Sequence, residues 1–280
     1  MTLWTWDPSV VAGCAALVAI YFWAVRGRLT RPAFFFLSGV LVLLLALVSP
    51  IDELGDEYLF SAHMLQHLLL VLVVPPLLVA GTPRAVFRRI LAWPLAARLE
   101  SIVRQPLVAW TLAVGTLCVW HIPFLYNAAL ADEGVHIVQH LSFLVTSTIF
   151  WWPVLSPMKE RRYAALPAVA YLFVAALANM VLGIYLTFVP PGLYPAYLRP
   201  GDAAGVLWLV RTEWGLSPAA DQQLGGLLMW VPGGLAYLGA IFIVLVRWYS
   251  APEAEAEDAL PASGGVQVAV PATRSWMEES

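Results

Sequence analysis

Long apolar stretches separated by short polar ones set the pattern of this chain. Seven of them run approximately over 8 to 25, 33 to 50, 61 to 80, 106 to 124, 135 to 155, 164 to 189 and 223 to 248. A helix needs roughly 20 such residues to cross hydrocarbon, where lipid offers backbone N–H and C=O groups no partner. The pattern therefore predicts an all-α polytopic membrane protein whose seven transmembrane helices occupy 1–250. Pro75-Pro76 and Pro232-Gly233-Gly234 interrupt two of the spans and predict kinks there. The opening MTLWTWDPSV lacks a basic leader, so the first apolar stretch reads as a retained span, with Trp4 and Trp6 as interfacial anchors. After Tyr249 the chain turns to Ala, Pro, Glu, Gly and Ser. Such a composition cannot bury enough apolar area to offset its ordering entropy, so 251–280 reads as a disordered cytoplasmic tail.

The connections sort by charge. Arg26, Arg28 and Arg31 lie in the first, Arg84, Arg88, Arg89, Arg98 and Arg104 in the third, and Lys159, Arg161 and Arg162 in the fifth. The second holds Asp52, Glu53, Asp56 and Glu57 with no basic residue, and the fourth holds Asp132 and Glu133. Because Lys and Arg accumulate on the cytoplasmic side, this alternation predicts the N-terminus outside and the C-terminus inside. The longest outer connection, about 190 to 222, is rich in Pro and Gly and is expected to fold over the outer mouth.

Composition narrows the function classes. Of 280 residues, 61% are hydrophobic and only 12% charged, and the net charge is −3. A soluble domain carries about 25% charged residues, so a soluble enzyme or a secreted scaffold is excluded. The absence of a net basic surface argues against a nucleic-acid partner. No nucleophile elbow, phosphate loop, dinucleotide fingerprint or HExxH occurs, so nothing argues for an enzyme of hydrolysis or group transfer. Two cysteines, Cys14 and Cys118, say little about redox compartment.

The histidines carry the chemistry. On this topology all five, His63, His67, His121, His136 and His140, fall in the outer third of the membrane. In "HMLQH" and "HIVQH" the pairs stand at i and i+4, which puts both imidazoles on one helix face about 6 Å apart. That geometry chelates a metal, and imidazole suits copper, zinc, iron or nickel. Cys118 stands three residues before His121, Met64 adjoins His63, and Met229 lies about two turns into the last span, so soft sulfur favours Cu(I). Each has a plainer reading: an interfacial imidazole bonded to a carbonyl, a small packing cysteine, a core methionine. Asp221 is a candidate for orienting an imidazole, Gln66 and Gln139 point off the histidine face as ties between helices, and the acidic run is either a solvated loop or a cation funnel. If the second histidine of each pair is the core ligand, His67 and His140 matter more than His63.

Four ordered segments, Ser61 to Pro83, Trp120 to Leu130, Val135 to Leu155 and Asp221 to Leu238, resemble the CtaG-like cytochrome c oxidase assembly factors, the Bacillus-type multi-pass membrane family. The resemblance implies an assembly factor of the bacterial cytoplasmic membrane acting on the copper supply of a haem-copper oxidase, with an oxidase subunit as client and a copper donor upstream. Its motif positions fall on His63, His67, His121, His136, His140 and Asp221 to Gln223. Two rival readings remain at this point. One is a b-type haem protein with axial histidines on facing helices, which a second histidine one turn away would crowd. The other is a metal-ion transporter, which lacks visible charged groups at the centre of any span.

Overall fold

The computed structural model describes residues 3–202 and 204–259, with side chains described as far as 250. Among them every regular element is helical. The chain order is α1 (Pro8–Ala24), α2 (Arg31–Val48), α3 (Pro50–Glu57), α4 (Phe60–Leu68), α5 (Val74–Gly81), α6 (Arg84–Ile90), α7 (Pro94–Val103), α8 (Pro106–Trp120), α9 (Pro123–Ala131), α10 (Glu133–Leu155), α11 (Ala165–Phe188) and α12 (Pro218–Ala259). Proline at the first turn starts many of them, where its missing N–H costs nothing and its fixed φ suits the helix.

Five stretches are long and apolar enough to cross a membrane: Arg31–Val48, Phe60–Gly81, Glu133–Leu155, Ala165–Phe188 and Pro218–Ser250. A sixth arises if α7 and α8, bent by 74° at their junction, count as one span. Helix α1, at 17 residues, is apolar but shorter. At 1.5 Å per residue α1 reaches about 25 Å and α8 about 22 Å, less than the roughly 27 Å of α2, the shortest of the five. All seven apolar stretches are thus helical, and α1 and α8 taken alone are the two shortest.

The proline interruptions act differently. Before Pro75-Pro76 the span from α4 to α5 loosens into a π-type turn over Leu69–Val73, which absorbs the missing amide donors. Helix α12 runs without a break through Pro232-Gly233-Gly234 and on to Ala259, past the 250 boundary where the composition begins a tail. The remainder of that tail, 260–280, lies outside the described residues.

Contacts at the two ends of the bundle gather alternate connections. At one end Arg84 pairs with Glu160 at 2.8 Å, Arg89 donates to the Ala24 carbonyl, and the buried Glu100 carboxylate meets Arg104, Arg161 and the Trp152 indole. At the other end Tyr197 donates to the Gly55 carbonyl, Tyr194 to the His121 carbonyl, and Thr5 to Asp52. The first, third and fifth connections meet at the former end, and the second, fourth and sixth at the latter.

Helices α11 and α12 form the most extensive pair, and small residues let their backbones approach closely. A Cβ on Gly183 would stand 2.8 Å from the Trp230 amide nitrogen and 3.0 Å from the Gly226 carbonyl oxygen. Both are backbone atoms and cannot swing aside. Gly183→Ala is therefore expected to lower stability by about 1–3 kcal/mol, seen as a lower thermal midpoint in detergent. An unchanged midpoint would mean the two helices are not held at this separation.

Candidate metal centre

Helix α4 begins where the Asp221 carboxylate, reaching across from the first turn of α12, accepts hydrogen bonds from the amides of Phe60 and Ser61 at 2.8 and 3.1 Å. It also accepts from the Ser61 hydroxyl at 2.6 Å. These amides are the unpaired donors that every helix N-terminus presents, and no side chain on α4's own cap satisfies them. Asp221 thus anchors the helix that carries His63 and His67. It orients no imidazole directly, because all the bonds of its carboxylate go to the helix end.

The i, i+4 pairs on α4 and α10 face each other. Ring centroids lie 4.3 Å apart for His63 and His67, 4.1 Å for His136 and His140, 5.4 Å for His63 and His136, and 5.6 Å for His67 and His140. His121 joins at 5.7 Å from His67. The five imidazoles that sequence selected therefore form one contiguous cluster. Within it His63, His136 and His140 each offer a ligand atom lying within 4.8 Å of the others. The trio takes the first histidine of α4, His63, and not the second, although the His140 ring lies 5.6 Å from His67 and 6.1 Å from His63.

Neighbouring polar groups leave the nitrogens open. Both nitrogens of His63 and of His67, and Nε2 of His136 and of His140, are buried without a hydrogen-bond partner. Buried polar atoms are ordinarily paired, since an unmet one costs roughly 1–3 kcal/mol. Six orphaned imidazole nitrogens in one cluster fit a donor set for a cation far better than a packed core.

Asp56 was not singled out by the sequence. Its two carboxylate oxygens stand 3.4 Å from Nδ1 of His63 and 3.4 Å from Nδ1 of His136. Neither contact is a hydrogen bond, so the carboxylate acts on the two rings through its charge, which favours a cation beside them. Gly55 makes this approach possible, because a Cβ there would stand 2.9 Å from the His63 amide nitrogen. Burial pushes the Asp56 carboxyl up to about 6, against the pull of His136. The missed signal was spacing: Asp52 and Asp56 stand at i, i+4 in α3 and share its inward face, as the paired histidines share theirs.

Asp52 uses that face structurally. It accepts from Gln66 at 2.6 Å and from Thr5 at 2.9 Å, while Gln66 also donates to the Ala46 carbonyl of α2. Gln66 is thus the tie expected of it, whereas both amide atoms of Gln139 are buried without partners. Burial, with Asp56 next, raises the Asp52 carboxyl from 3.8 to about 7. Below the lower value it is protonated in both folded and unfolded chain. Between the two the unfolded chain ionises first, so this group's contribution to stability falls as pH rises and levels off above about 7. The thermal midpoint in detergent is expected to decline across that window by an amount on the order of a few kcal/mol, and Asp52→Asn to flatten the decline. Equal pH slopes for the two proteins would refute the assignment.

The sulfur candidates divide. Met64 Sδ lies 3.4 Å from His121 Nε2, and Met229 is buried with Met64 and His67 around a void of about 10 Å³. Cys118 is exposed and takes no part, because α8 ends at Trp120 and His121, at the cap, turns its ring back to the Leu117 carbonyl. The expected helical relation between Cys118 and His121 is lost at that cap. A second omission is aromatic: Tyr126, Tyr194 and Tyr197 pack over the imidazoles, with Tyr126 5.1 Å from His63 and 3.9 Å from Tyr194. Tyr194 and Tyr197 come from the long connection after α11, which does cover the cluster.

A family model described as cytochrome c oxidase caa3 assembly factor matches residues 17–251. The chain belongs to that family. The caa3 assembly factor match takes in the whole imidazole cluster together with Asp56 and Asp221. Curated relatives include an uncharacterized protein of Mycobacterium bovis and one of Mycobacterium tuberculosis, each 24% identical over 275 residues, covering 89% of this chain and 40% of the relative. An uncharacterized protein of Mycobacterium leprae is 22% identical over 271 residues, covering 88% of this chain and 40% of its own. The chain thus spans about 40% of the length of those relatives. No solved structure matches it.

Proposed function

We propose that this assembly factor holds copper, as cargo, on the imidazoles of His63, His136 and His140 and delivers it to a subunit of a cytochrome c oxidase. The observation that carries the reading is the trio of ligand atoms within 4.8 Å of one another, backed by orphaned buried nitrogens. In this reading the protein has seven spans, the N-terminus is outside, and the histidine end faces outward in the bacterial cytoplasmic membrane. The positive-inside distribution and the meeting of alternate connections at opposite ends support that orientation. His136 and His140 are only partly buried, so exchange with a donor or client would run through the α10 side of the cluster. The imidazoles crowd one another, with ring centroids 4.1 to 5.7 Å apart, which favours a shared ion over a haem macrocycle between them. All the imidazoles gather at one end of the bundle, which favours hand-over at one surface over transport across.

Elemental mass spectrometry of the detergent-purified chain after growth with copper tests this directly. At least one equivalent of copper is expected, and a His63→Ala/His140→Ala protein should lose one equivalent. Stoichiometric iron with a Soret band would replace the reading with the haem one. Protein free of metal under copper-replete growth would make the cluster a protein contact and the assembly role a scaffold.

A further inference from the structure

His121 and Met64 meet in a way that hydrogen bonding does not explain. His121 Nδ1 lies 2.7 Å from the Leu117 carbonyl oxygen, which can only accept, so Nδ1 carries the hydrogen. In the neutral ring Nε2 is then a bare lone pair, and it points at Met64 Sδ from 3.4 Å. A thioether sulfur has no hydrogen to give. Two electron-pair donors therefore face each other, buried, with no proton between them. A soft cation is what such a pair lacks. With bonds of about 2.0 Å to imidazole and about 2.3 Å to sulfur, a 3.4 Å separation corresponds to an angle at the ion close to tetrahedral.

His67 stands between this pair and the trio. Its ring is 5.7 Å from His121 and 5.6 Å from His140, and both of its nitrogens are buried without partners. It shares the lining of a small void with Met64 and Met229. One side of His67 therefore presents nitrogen and carboxylate chemistry under Asp56, and the other presents nitrogen and thioether chemistry.

We propose that the cluster contains two metal positions: the imidazole trio, and a second, sulfur-bearing Cu(I) position on Met64 and His121, with His67 able to ligate at either. The proposal rests on the copper reading above and adds a second station of different softness. Thioether ligation selects Cu(I) over harder or divalent ions, so the second position would hold the reduced ion and discriminate against zinc.

The test is anaerobic titration of the detergent-purified full chain with Cu(I) against a chromophoric Cu(I) chelator, read together with X-ray absorption at the copper edge. Two equivalents are expected, with a sulfur shell in the wild-type spectrum. Met64→Leu, which conserves volume, should lose one equivalent and the sulfur shell while keeping the other equivalent. The wild-type sulfur shell is a readout that needs no variant to fold. One equivalent with a nitrogen-only shell, unchanged in Met64→Leu, would overturn the second position and leave the copper reading standing. No bound copper in the wild type would overturn both.

Discussion

His140→Ala is expected to weaken copper binding by at least about a hundredfold, or about 2.8 kcal/mol at 1.4 kcal/mol per tenfold change. Losing a carboxylate that merely orients a ligand typically costs 10–100-fold, and losing the ligand itself should cost no less. His140 contributes one of three ligand atoms that lie within 4.8 Å of one another, so its removal leaves a two-coordinate remnant. Its Nε2 has no hydrogen-bond partner to lose, so the substitution costs the fold only the packing of the ring, which the thermal midpoint in detergent monitors. Cys118→Ser is the matched control, since that side chain is exposed and outside the cluster, and its affinity should equal the wild type's. Competition titration with Cu(I) in detergent distinguishes these outcomes, and wild-type affinity in His140→Ala would remove the trio as the binding site.

The largest effect on stability is expected at Asp221→Ala, about 3 kcal/mol or more. Two backbone amides at the start of α4 and the Ser61 hydroxyl lose their acceptor in a buried place, with α12 in the way of water. A charge-assisted hydrogen bond contributes about 1.5–3 kcal/mol, and an orphaned buried donor costs a further 1–3. The hydroxyl can rotate to another acceptor, which keeps the total below the sum. Because α4 carries His63, His67 and Met64, copper binding should fall along with the thermal midpoint. Asp221→Asn retains one acceptor oxygen and should recover part of both. A midpoint in Asp221→Ala equal to the wild type's, followed by circular dichroism in detergent, would show that the cap is satisfied by another group.

Much of the site is legible before any coordinates. HMLQH and HIVQH fix two imidazoles on one face of each helix, because 3.6 residues per turn brings i and i+4 together wherever the helix sits. The alternating charge of the connections brings those faces to a common depth. His121 is legible in its level and not in its orientation: the helix ends one residue before it, and the cap geometry rotates the ring to the Leu117 carbonyl and away from Cys118. Asp56 is illegible by position alone, since a carboxylate in a polar loop is ordinarily solvated. Its role depends on α3 being helical and on Gly55 letting that helix touch the backbone of α4.

Local order and packing answer different questions here. Run length, proline placement and charge alternation are properties of neighbouring residues, so the chain by itself determined that it is helical, apolar and built around paired histidines. Which imidazoles share a ligand position, which carboxylate backs them and which sulfur faces His121 depend on contacts between groups far apart in sequence. Asp221 reaches Phe60 and Ser61 across about 160 residues, and Tyr197 reaches Gly55 across 142. Close approach of backbones at small residues such as Gly55 and Gly183 lets those groups meet. No one-dimensional pattern encodes that approach, and only the tertiary structure decided it.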